Sequence, residues 1–343
     1  MRRLIVAAMV MLAVLPVRTQ RGSAPQNASG SIERELTRVR SQIRESVPEG
    51  ERAPLLQRLD RAEAAQQAQR TYQAAYFLES AYEGAAAFAF AASAGVQSPN
   101  DFVRKWTALG VPRPHGGRSG RVPAAVDALA EAAEARGPIT YQASRPYAED
   151  SDTAAGLYYL GESHAVMNYA AFLRAATWPD AGRRPAFRSI APELAAFDRE
   201  MTTKYETMER ANHPTYIRAS AALKQARSLN DRGALEGALF EYLLSRYLFA
   251  PLRGPAAAEV TRERIDAARA TLPAAQDHSI AELFVQFADE GLAGDNADLR
   301  RGAAAVVEDV LPSYLAALAP AAPAATSSAN AAVTVTLVRW PFT

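Results

Sequence analysis

The 343-residue chain contains no cysteine, only four histidines, and three lysines (Lys105, Lys204 and Lys224) beside a large number of arginines. Without cysteine there is no disulfide staple, thiolate nucleophile, cysteine-bound metal or lipid-carrying cysteine. The histidines His115, His164, His213 and His278 form no His-Glu-x-x-His pattern and no acid-x-x-His pair of the di-iron kind. No Gly-x-Ser-x-Gly elbow occurs, and the glycine-rich stretch that does occur lacks the Gly-Lys-Ser/Thr ending of a phosphate loop. Charge of one sign is also missing: 38 basic residues face 37 acidic ones, for a net charge of +1. That balance argues against a nucleic-acid binder, which needs a basic patch.

Long apolar runs are scarce as well. The run Leu4–Val17 follows Arg2 and Arg3 and falls short of the roughly 20 residues of a bilayer span. A basic start followed by a short apolar run is the pattern of a secretory signal peptide. Residues 1–30 are therefore expected to be a signal peptide and polar leader, and the mature protein to be periplasmic or extracellular in a bacterium. Cleavage near Gly30 would remove four arginines and no acid, turning the net charge of +1 into −3. No later segment reads as a membrane span.

What is abundant is alanine, leucine, glutamate and arginine, the residues of helices. Ile32, Leu36, Val39 and Ile43 recur at helical spacing behind Ser31, a candidate N-cap. A helical region is expected from about residue 54 to 94, and its second part is apolar nearly all round. Ser98-Pro99-Asn100-Asp101 reads as a helix start. A helix beginning near Ala124 is expected to stop at Gly137-Pro138, with irregular chain from Ile139 to Asp152 before a long helix to Trp178. Further helices are expected at roughly 189–211, 214–229, 233–250, 256–271, 279–293 and 296–318. Ser279 and Glu282 suggest a capping box, and Pro312 should kink the last helix. The expected fold is all-α: antiparallel helix pairs stacked as an irregular helical repeat or bundle. Its expected parts are an N-terminal half (31–178), a repeat-like C-terminal half (179–318), an Ala/Pro/Ser linker (319–332) and a strand-like tail (333–343).

Within 214–251, Gly233, Leu235, Ala238, Tyr242 and Pro251, preceded by Ala222, Ala226 and Leu229, fall at about the spacing of a tetratricopeptide repeat, which this segment resembles. Leu157, Leu160 and Gly161, and Tyr72 with Ala75, are weaker echoes. No steady period of about 34 residues links them. The resemblance implies antiparallel helix pairs, small residues at tight crossings, and a concave face for peptides or partner proteins.

Three groups of residues invite a functional reading. Glu79 and Glu83 lie one turn apart in an apolar helix. Buried acids there could do acid–base work, or be held by tyrosine or by an arginine from a neighbouring helix. Arg113, His115, Arg118 and Arg121 gather in a glycine-rich loop that could hold an anion. In the tail, Val335 and Leu337 lie on one face of an alternating segment and Trp340 and Phe342 on the other, a pattern suited to adding a strand to a partner. The sequence therefore reads as an exported, non-catalytic helical-repeat protein that binds a protein or peptide, with no metal or cofactor implied. The alternative is a helical periplasmic hydrolase or ligand-binding protein, in which Glu79, Glu83, Glu162 and His164 would converge.

Overall fold

The computed structural model describes residues 28–114, 122–149, 152–254 and 259–319. Among them the fold is all-α, built of stacked helix pairs, with no strand longer than an isolated bridge. Helices α1 (Ala28–Ser46), α2 (Glu49–Gln67) and α3 (Thr71–Ser93) pack against one another. The short α4 (Pro99–Leu109) lies against α5 (Ala124–Glu149) and α6 (Thr153–Ala175), which form the most extensive pair in the fold. After an extended stretch come α7 (Ala191–Tyr205) and the hairpin of α8 (His213–Asp231) and α9 (Leu235–Arg253). Next are α10 (Arg262–Arg269), α11 (Ser279–Ala293) and α12 (Ala297–Ala305). A π-helical turn, Val306–Val310, joins α12 to α13 (Leu311–Ala317).

The apolar stripes account for the packing. Ile32, Leu36, Val39 and Ile43, the expected face of α1, are all buried, and one continuous core runs from them to Tyr314 and Ala317 in α13. Its middle layer is α3, α5, α9 and α11, each apolar over more than one face, as a central helix must be. No helix among the described residues is long and apolar enough to cross a membrane.

Three local expectations are corrected. The helix from Ala124 does not stop at Gly137-Pro138 but runs through both to Glu149, so the stretch read as irregular is largely helical. The cause is tertiary. A Cβ at Gly137 would lie 2.6 Å from Met167 Sδ, so the missing side chain lets α5 and α6 approach closely along their length. Packing on that scale outweighs the weakness of one glycine and one proline in a helix. Ser31 lies inside α1 and is buried rather than capping it. Ser279 does not close a capping box with Glu282: its Oγ accepts from Ala125 N–H (2.8 Å), and Glu282 pairs with Arg269 (3.0 Å). Pro312 itself follows the π turn Val306–Val310, which interrupts the regular α-helical pattern just before the proline. By contrast Ser98 caps α4 as expected, accepting from Asp101 N–H at 3.2 Å.

Candidate functional site: a cleft over buried carboxylates

Between α2 and α3 on one side and α8, α9, α11 and α12 on the other lies a cavity of about 530 Å³. Its wall is aromatic. Tyr76 packs edge-on to Phe287 (ring centroids 5.1 Å) and to Phe240 (6.2 Å), and Tyr247 lies 5.3 Å from Phe287. Tyr247 owes its place to Gly302 of α12, where a Cβ would strike the ring at 2.6 Å. The deeper part is ionic. Arg136 of α5 sends Nη2 to Glu79 Oε1 and, at 2.8 Å, to Glu83 Oε1. The side chains of Glu79 and Glu83 are 10% and 7% exposed, whereas that of Arg136 keeps 34%. Glu79 and Arg136 line the cavity, and so does Glu241 of α9.

Glu241 differs from the other two acids. It is only 7% exposed, and its carboxylate has no hydrogen bond or ion pair with any described residue, although Arg136 and Glu79 are close enough to act on its charge. Burial pushes its carboxyl up to about 8; Arg136 opposes the shift and Glu79 adds to it. Glu83 is pushed to about 8, again by burial first, with Arg136 opposing and Glu79 and Glu162 adding. Glu79 is raised by burial against the pull of Arg136. Burial alone would lower Arg136, but Glu79, Glu83, Glu241 and Glu162 outweigh it and hold the guanidinium above its ordinary value. Tyr76 is raised to about 12 by burial, and Glu241 and Glu79 add to the shift. One guanidinium thus serves an excess of buried carboxylates.

The mouth has a different character. Arg61 pairs with Glu290 at 3.0 Å and lies 4.0 Å over the Phe77 ring. Arg58 and Arg218 stand exposed at the edge, and Ala221 of α8 is exposed beside them.

The expected residues fare unequally. Glu79 and Glu83 converge on an arginine from a neighbouring helix, one of the two arrangements anticipated for them. Glu162 joins them only through its charge, and His164 does not line the cleft. Among the described residues no group of three or more His, Asp or Glu is arranged to hold a metal ion. Arg113 is exposed, while His115, Arg118 and Arg121 lie outside the described residues, as do Val335, Leu337, Trp340 and Phe342 of the tail.

Sequence reading missed Arg136 and Glu241. Arg136 precedes Gly137-Pro138 and looks like the basic end of a helix. Glu241 left a signal: it is the one charge in "GALFEYLLS", on the stripe that also carries Ala238 and Tyr242. Comparison of the chain with family models, with curated proteins and with solved structures finds no significant match.

Proposed function

We propose that this is an exported, non-catalytic helical protein that binds a peptide or a segment of a partner protein, and that the cleft between α3 and α9 is its binding site. The observation that carries this reading is Glu241, a buried carboxylate facing a cavity with no partner of its own. Its oxygens are not sealed into the protein but open to the cavity, where a ligand can reach them. The volume falls within the roughly 300–1,000 Å³ typical of ligand sites, and the aromatic residues of the wall stand among charged ones that could orient a bound segment. Export rests on the basic start and short apolar run of the first residues.

The test is selection of displayed random peptides on the full-length protein, with recovered peptides re-measured on Ala221→Trp, which fills the mouth from an exposed position. Peptides that bind the wild type and lose affinity for the variant support the reading. Peptides that bind both equally would refute it. The alternating tail supports a second contact, a strand added to a partner's sheet. Loss of a defined partner's affinity in a chain ending at Pro320 is its test; unchanged affinity rejects it.

A further inference from the structure

We infer that the group seated at the bottom of the cleft is a cation, the ammonium of a lysine or the guanidinium of an arginine on the bound segment, held by Glu241 against the aromatic wall. This rests on the cleft being the binding site and adds the chemistry of its ligand.

Three observations carry it. First, the deep charges do not balance: Glu79, Glu83 and Glu241 face one guanidinium, and both hydrogen bonds that Arg136 gives to this cluster go to Glu79 and Glu83. Glu241 receives none of them. Second, the stem of a long cationic side chain needs apolar surface beside it, and Tyr76, Phe240, Tyr247 and Phe287 all line the cleft. Third, the positive charges near the mouth offer little opposition. Arg61 is already paired with Glu290. Arg58 and Arg218 are exposed, where solvent and salt screen them, while the carboxylates below act through a drier medium. Asp298, also at the mouth, lies 3.4 Å from Arg301.

The same imbalance already shows in the raised proton affinity of the site. With Glu83 and Glu241 both pushed to about 8, the empty cleft holds protons at neutral pH, the smallest cations it can take. A lysine or arginine replaces the proton on Glu241, so binding releases a proton and tightens as pH rises. Glu241 acts here among Arg136 of α5, Tyr76, Glu79 and Glu83 of α3, and Arg58 and Arg61 of α2. The other titratable and charged groups that share the cavity lining are Tyr247 of its own helix, Arg218 of α8, Glu290 of α11 and Asp298 of α12.

Titration calorimetry of the full-length protein with four acetylated, amidated pentapeptides, Ala-Ala-X-Ala-Ala with X as Lys, Arg, Gln or Glu, tests this. At pH 8.5 the Lys and Arg peptides should bind about tenfold or more tightly than the Gln peptide, the scale set by a desolvated charge pair. The Glu peptide should bind most weakly. Below pH 8 the advantage should shrink by up to roughly tenfold per pH unit, with proton release detected as a buffer-dependent heat. Glu241→Gln should abolish the preference, so that the Lys, Arg and Gln peptides bind it alike. Equal binding of Lys and Gln peptides by the wild type overturns the cation, as does a preference that is intact in Glu241→Gln or independent of pH. If all four bind alike and Ala221→Trp abolishes them, the cleft stands as the site and the cation falls. If none binds, or Ala221→Trp changes nothing, the reading of the cleft falls too.

Discussion

A single guanidinium nitrogen, Arg136 Nη2, donates to two carboxylates one turn apart on α3, Glu79 and Glu83. Glu79 and Glu83 are almost fully buried, so their charge is tolerable only while the arginine is there. Arg136→Met should therefore cost about 3–5 kcal/mol of stability at pH 9, the usual result of breaking a buried pair from one side. At pH 6 the loss should be smaller, because the abandoned acids can take up protons. Urea denaturation at the two pH values measures both, and an equal loss at each would show that the carboxylates do not depend on Arg136. Adding Glu79→Gln and Glu83→Gln to the same chain should restore much of what is lost.

Acidification itself should stabilise the wild type. Glu83 and Glu241 hold protons up to about 8 in the folded chain, whereas an unfolded glutamate releases its proton near 4.3. Between those values the folded state binds more protons, so stability is fully present below about 4.3 and is lost as pH rises toward 8. The melting temperature should thus fall from pH 5 to pH 8, and Glu241→Gln should flatten that slope by removing one contributor. A melting temperature that climbs over this range, or a slope unchanged in the variant, would contradict the raised affinity.

Most of the fold was legible because it rests on periodicity. The stripe of α1 and the cap of α4 are local patterns, and each is where its spacing put it. Two of the failures share a cause: a local signal overruled by a distant partner. Gly137-Pro138 reads as a stop until Met167 is known to press on that glycine, and Ser279 reads as a cap until Ala125 claims its hydroxyl. The candidate site was half legible. Two acids in an apolar helix stand out as Glu79 and Glu83, but Glu241 and Arg136 join them from helices 158 to 162 and 53 to 57 residues away in sequence. Only the stacking of α3, α5 and α9 makes them neighbours.

The start of α5 should depend on Asp277 more than on any residue of its own first turn. Asp277 Oδ2 accepts from Ala124 N–H at 2.6 Å, and Oδ1 accepts from Ser279 N–H at 2.9 Å, so one buried carboxylate ties the beginnings of α5 and α11 together. Asp277→Ala leaves two buried donors unsatisfied and should cost about 2–4 kcal/mol, twice the usual loss for one cap. Asp277→Asn keeps one accepting oxygen and should cost about half as much. Chemical denaturation of the pair checks the ratio, and equal losses would mean that the charge rather than the two acceptors matters.

Two glycines at helix crossings give a sharper test of packing, because the same substitution should have different outcomes. At Gly137 an added methyl would meet Met167 Sδ at 2.6 Å, the far end of a flexible side chain, and would come no nearer than 3.3 Å to backbone, at the Ser163 oxygen. At Gly291 it would meet the backbone oxygen of Leu299 at 2.5 Å, which cannot move without shifting the start of α12. Alanine gains up to about 1 kcal/mol over glycine in a helix interior, and overpacking a close contact costs about 1–3 kcal/mol. The two terms nearly cancel at Gly137, so Gly137→Ala should be close to neutral. At Gly291 the overpacking term wins, and Gly291→Ala should lose about 1–2 kcal/mol. Because Leu299 also lines the cleft, this variant should weaken peptide binding as well, while Gly137→Ala should leave it unchanged. Thermal unfolding and peptide titration of both proteins decide it: equal stabilities would mean that α12 yields as readily as a methionine side chain, and the cleft wall would then be softer than its packing indicates.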